Sequence, residues 1–135
     1  MKFSEAIRLG AMLHPQAFGD LTGRRRRWFK TERTTCAMGA AFEAAGIVGR
    51  LVQVISGQRL RGASVVSGPG ILYEPPTDWA DVYWARVACP TYCGRAREPM
   101  YRMITHINDD HRWTREQIAS WVECLENIAA QTTAA

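Results

Sequence analysis

Apolar residues recur at helical spacing near both ends of the chain and lose that rhythm in the middle. Ala6, Ile7, Leu9, Ala11 and Leu13 give mixed apolar faces after Ser4, a suitable N-cap, and Glu5, favourable at a positive helix end. Pro15 and Gly19 close the pattern, which predicts a helix over 4–13. A second helix is expected from a Thr34 or Thr35 cap to Gly46, a natural left-handed terminator. Its small residues, Gly39 among them, suit a central helix close to a neighbour. Met100, Met103, Ile104 and Ile107 predict a third helix over 99–108, with Pro99 in its first turn. Thr114-Arg115-Glu116-Gln117 is a capping box, with Trp113 and Ile118 placed as a hydrophobic staple. Ile118, Trp121, Val122, Leu125 and Ile128 form an apolar stripe, so a last helix is expected over 114–128, with a frayed tail over 129–135.

Between these segments the texture changes. Pro15, Gly19, Asp20 and Gly23 punctuate 14–34, which reads as a loop. Residues 47–73 are rich in Val, Ile and Leu but broken by glycines. Leu51–Ile55, Ala63–Val66 and Ile71–Tyr73 are strand candidates there. Thr77 or Asp78 can cap a short helix carrying Trp79, Val82, Tyr83 and Arg86. The expected fold is α+β: one mostly helical domain over 1–135 with a small irregular β element, and zinc as a candidate pin. The first, second and last helices would pack together around Phe42, Trp121 and Leu125.

Composition adds three constraints. Five tryptophans, four tyrosines and four phenylalanines in 135 residues can supply a core, which argues against general disorder. No apolar run approaches the roughly 20 residues of a membrane span, and the N-terminus lacks the apolar segment of a secretory signal. A cytoplasmic location follows as an expectation, and Cys36, Cys89, Cys93 and Cys124 would then be reduced thiols. The net charge of +4 is concentrated: residues 24–33 carry six bases and one acid.

The densest metal-competent pattern is Cys89-x3-Cys93-x12-His106-x4-His111. It falls within the spacing of the two-cysteine, two-histidine zinc fingers. Closely spaced thiolate and imidazole pairs lower the entropy cost of assembling a tetrahedral site. Cys89-Pro90…Cys93-Gly94 also resembles a zinc knuckle with one extra residue between its cysteines. The finger's hydrophobic framework is missing. Arg97 stands where its aromatic would be, Met103 replaces its leucine, and Val87 replaces the aromatic before the first cysteine. Cys36 is a substitute ligand for one histidine. The plainer account makes the thiols small core residues and the histidines helix-end groups.

The segment Thr105–Val122 and the opening Ser4–Ala11 resemble a family of small bacterial and phage-type proteins of no established activity. Members end in a similar His-Leu-Asn-Asp-x-His-x-Trp-Thr-Arg-Glu stretch, and the likeness extends to Thr35-Cys36-Ala37. The resemblance implies a compact domain of its own type and no particular activity. Thr114–Ala119 also looks like the opening of a helix-turn-helix, but no turn and recognition helix follow.

Arg24, Arg25, Arg26 and Arg27 repel one another unless solvated or facing anions. With Trp28, Lys30 and Arg33 they suit phosphates and stacked bases, or an acidic protein surface. Phosphate-cradling glycine loops, nucleophile elbows and His-Glu-x-x-His are absent from the sequence. His106, Asp109, Asp110 and His111 are the one set suited to acid–base work, while Asp110 paired to Arg112 or Arg115 is the ordinary alternative. The expected function is therefore non-catalytic: a small regulatory or accessory protein that contacts nucleic acid through its basic loop, with a structural Zn2+. A phage or mobile-element inhibitor or adaptor acting on an acidic host protein is the alternative, and a metal-dependent enzyme is third.

Overall fold

The computed structural model describes residues 1–19, 22–27, 30–46 and 75–135, with 22–27 and 30–33 described by backbone alone. The architecture is α+β and mostly helical. In chain order come α1 (Phe3–Ala11), β1 (Thr22–Arg27), β2 (Lys30–Thr35) and α2 (Ala37–Ala44). A 3₁₀ turn at Thr77–Trp79 then runs into α3 (Ala80–Tyr83), followed by β3 (Arg86–Val87), β4 (Glu98–Pro99), α4 (Met100–Asp109) and α5 (Arg115–Ala134). The strand candidates within 47–73 lie outside the described residues.

Helix α1 starts one residue before the expected cap. Ser4 sits inside it, and the first-turn amides turn to a carboxylate from another helix. Glu126 accepts from the Phe3 amide at 2.8 Å and from the Ser4 amide at 3.3 Å. It also accepts from the Ser4 hydroxyl at 2.5 Å. An anion at a helix N-terminus answers both the orphan N–H groups and the dipole. Helix α2 is the central helix its small residues suggested, with Ala37 through Phe42 all buried. Its cap is Cys36 rather than Thr34 or Thr35: the Cys36 sulfur accepts from the Gly39 amide at 3.3 Å, and both threonines belong to β2. The close crossing of α1 on α2 depends on Gly10. A Cβ on Gly10 would lie 1.8 Å from the Ala40 carbonyl oxygen, so only glycine lets α1 pack there. Gly46 (φ 71°) ends α2 in the left-handed region, as expected.

Phe3 stacks on Trp79 at 4.7 Å between ring centroids, and Phe42 on Trp79 at 6.2 Å. Ile7, Met38, Met103, Ile104, Ile107, Ile118 and Val122 complete this core. Each such side chain contributes roughly 1.5–3 kcal/mol on full burial. The capping box forms as the sequence predicts: Thr114 accepts from the Gln117 amide at 3.1 Å, and Gln117 accepts from the Thr114 amide at 2.8 Å. Two details of α5 differ from expectation. Its deepest positions are Ile118, Ala119 and Val122, with Trp121 and Leu125 only partly buried. The helix also continues to Ala134, past the expected end at 128, with Thr132 and Thr133 bonding back to the Ile128 and Ala129 carbonyls.

The expected basic loop is also corrected. Strands β1 and β2 pair antiparallel from Thr22↔Thr35 to Arg27↔Lys30, so the arginine run is one strand of a ribbon. Threonines at 22, 31, 34 and 35 favour strand, but no apolar alternation advertises it. At its foot Ala17 N–H bonds the Thr35 carbonyl (2.9 Å), and Thr35 N–H bonds the Pro15 carbonyl (3.0 Å).

Candidate metal centre

The short ribbon β3–β4 leads directly into α4, and the Cys89–Cys93 turn is the tip between the strands. Arg86 pairs with Pro99 and Val87 with Glu98. Arg86 donates to the Arg97 carbonyl at 2.7 Å, and Arg97 donates to the Arg86 carbonyl at 2.8 Å. Arg97, which breaks the finger's aromatic pattern, thus ties the ribbon by hydrogen bonds instead of packing. The Tyr92 amide donates to the Cys89 carbonyl (3.1 Å) to close the turn. His106 lies in the last turns of α4, and His111 follows just past its C-terminus.

The four predicted ligands come together, with their donor atoms all within 4.8 Å of one another. His106 Nε2 lies 3.1 Å from His111 Nε2 and 3.4 Å from Cys93 Sγ, and Cys89 Sγ lies 3.8 Å from His111 Nε2. A tetrahedral zinc with ordinary bond lengths needs edges of about 3.3 Å between nitrogens and about 3.6 Å between nitrogen and sulfur. These three spacings match the corresponding edges within a few tenths of an ångström, and every pair of donor atoms lies within 4.8 Å. A metal ion therefore fits this Cys2His2 group.

The surroundings favour a cation too. His106 Nδ1 sits 2.6 Å from Asp110 Oδ2, which assigns the ring proton to Nδ1 and leaves Nε2 as a lone pair aimed into the cage. Arg95 approaches the same Nδ1 at 3.2 Å, but a guanidinium only donates, so this contact is not a hydrogen bond of that tautomer. Thr91 Oγ1 lies 3.1 Å from Cys89 Sγ and 3.2 Å from His111 Nε2. Burial alone would raise the Cys89 thiol. The Thr91 hydroxyl and amide, aided by Cys93 and His106, outweigh it and bring the thiol down to about 7. Thiolate, the form that binds metal, is thus accessible near neutral pH. Backbone strain marks the same place. Among the described residues the non-glycine positions with positive φ are Tyr92 (54°) and Arg112 (53°), each adjacent to a ligand. Such conformations persist where the surroundings over-determine them.

The remaining candidates are placed elsewhere. Cys36, expected as a substitute ligand, is outside the group: it caps α2, and burial pushes its thiol up to about 11. Arg24, Arg25, Arg26, Arg27, Lys30 and Arg33 lie on β1 and β2, while Trp28 is outside the described residues. Asp110 faces His106 rather than Arg112 or Arg115. The i, i+4 spacing on a helix was the signal for that pair. Asn108 was legible in the sequence only as a helix-end group, and Thr91 carried no comparable signal.

Family models, curated proteins and solved structures give no match to this chain. Among the described residues, no helix is long and apolar enough to cross a membrane.

Proposed function

We propose that this protein is a zinc-pinned, non-catalytic binding domain that contacts nucleic acid through the β1–β2 ribbon. The convergence of Cys89, Cys93, His106 and His111, with donor atoms all within 4.8 Å of one another, carries the reading. Two thiolates and two imidazoles suit zinc, and four protein ligands leave no coordination position for a substrate, as in structural rather than catalytic sites.

The hairpin–knuckle–helix order at β3, β4 and α4 is that of a ββα finger. Here Met100, Met103, Ile104 and Ile107 bury one face of α4 in the core, and its other face carries little basic charge beyond Arg102. The other ribbon is favoured for the nucleic-acid contact because it carries six bases and one acid over residues 24–33. A two-stranded ribbon fits a major groove, and basic residues along it neutralise phosphates.

Electrophoretic retention on random-sequence DNA and RNA tests this. Retention at low salt should disappear in the Arg24–Arg27→Ala variant, and wild-type affinity should fall with salt by a slope of about 0.7–0.9 per phosphate contact. No retention on either nucleic acid at low salt would overturn the nucleic-acid reading. Stoichiometric co-purification with an acidic protein would then replace it with the inhibitor or adaptor alternative.

A further inference from the structure

Two of the metal ligands, His106 and His111, flank the C-terminus of α4, and the α4–α5 junction that begins there holds both feet of the basic ribbon. Asn108, fully buried two residues after His106, is the hub. Its Oδ1 accepts from Gln16 Nε2 at 2.9 Å and from the Ala37 amide at 3.3 Å, and its Nδ2 donates to the Ala17 carbonyl at 3.0 Å. One residue therefore ties the chain entering β1 to the chain leaving β2.

Its neighbours repeat the arrangement. Asp109 accepts from the Gly19 amide at 2.8 Å, and the Trp113 carbonyl accepts from Gln16 Nε2 at 2.7 Å. The Arg112 guanidinium lies over the Phe18 ring at 4.6 Å. Buried Arg115 donates to the Thr35 carbonyl at 3.3 Å and to the Thr35 hydroxyl at 3.0 Å. Thus residues 108–115 grip 16–19 on one side and 35–37 on the other. His106 and His111 fix the first part of this segment from the cage, and Arg112 directly after His111 holds a left-handed backbone.

We infer that metal occupancy gates the basic ribbon: a loaded cage fixes the α4–α5 junction, and the junction, through Asn108, fixes the ribbon's orientation and hence its binding of nucleic acid. This rests on the proposed metal site and ribbon interface. A cage holding His106 and His111 leaves few arrangements for the residues between them. An empty cage frees His111 and its strained neighbour, and the contacts to 16–19 and 35–37 lose their common anchor. Because coupling must bias an element both sites share, Asn108, which alone among residues 108–115 bonds to both feet of the ribbon, is where one substitution should weaken it most.

Hydrogen exchange followed by mass spectrometry on the full chain tests the inference without any nucleic acid present. Stripping zinc with a chelator should speed exchange in peptides covering 22–35 by about tenfold or more, alongside the expected change over 89–111. In Asn108→Ala, which keeps all four ligands, 22–35 should exchange fast in both states. Asp109→Ala, which removes the Gly19 contact at a more exposed position, should give an intermediate response and serves if Asn108→Ala does not fold. Native mass spectra of the same samples report zinc separately. One zinc bound in the wild type, with exchange over 22–35 unchanged on stripping, overturns the coupling while leaving the metal site standing. Absence of zinc binding overturns both. Loss of nucleic-acid retention with the exchange response intact overturns only the ribbon's partner.

Discussion

The metal corner and the basic ribbon are both built from short polar stretches, yet they use their side chains in opposite ways. In the corner, Cys89, Cys93, His106 and His111 point inward to one place, and Asp110 and Thr91 orient them. The ribbon instead spreads six bases and one acid along two paired strands, with Glu32 opposite Arg25 in the register. Convergence of this kind stabilises a fold, and distribution of this kind is suited to binding. The contrast teaches that the corner's residues should govern stability and the ribbon's should govern affinity.

The largest expected effect separates these two roles. Cys93→Ser should lower the unfolding free energy of zinc-loaded protein by about 3–5 kcal/mol, because structural metal affinity is folding free energy. Arg24–Arg27→Ala should change it by less than about 1 kcal/mol, as surface substitutions do. Paired urea titrations with and without chelator measure both. Equal losses would contradict this division between stability and affinity.

The two regions also contain thiols displaced in opposite directions, Cys89 down to about 7 and Cys36, at the ribbon's foot, up to about 11. Cys36 is buried as a thiol, so its folded form holds its proton more tightly than the unfolded chain does. Its contribution is complete below about pH 9 and is lost as pH rises toward 11, about 2–3 kcal/mol in all. Cys36→Ser keeps a capping oxygen and should remove this alkaline decline relative to wild type, as read from urea midpoints at pH 8 and 11. An unchanged decline would place its origin elsewhere.

A smaller effect is expected just outside the cage. Asp110→Asn should weaken zinc binding about 10–100-fold by loosening the His106 ring, with the secondary structure preserved. Competition with a chromophoric chelator gives the number, and an unchanged affinity would deny Asp110 its orienting role. The smallest effect is stabilising. Tyr92 is 90% exposed at φ 54°, so Tyr92→Gly should gain about 1 kcal/mol by relieving strain while giving up little packing. A loss instead would show that the tyrosine ring contributes to the knuckle.

The corner was legible in the sequence because its ligands are near neighbours, and ligand spacing survives without any homologous framework. The capping box at Thr114 was legible for the same reason, since both of its halves lie within four residues. The ribbon was hidden. A run of arginines has no apolar alternation, and Gly23 beside it looks like loop punctuation. Cys36 showed its small size but not its role, because a sulfur N-cap is less preferred than the adjacent threonines. Asn108 was harder still. Its partners at positions 16, 17 and 37 are distant in sequence, so the hub exists only once the chain has folded. Glu126 capping α1 escaped notice for that reason too.

Native mass spectrometry of the purified full chain shows whether Cys89, Cys93, His106 and His111 hold one structural zinc. One zinc per chain is expected, lost in Cys93→Ser and in His106→Ala but retained in Cys36→Ser. A wild-type chain that carries no zinc after zinc loading, and melts identically with and without chelator, would contradict that expectation.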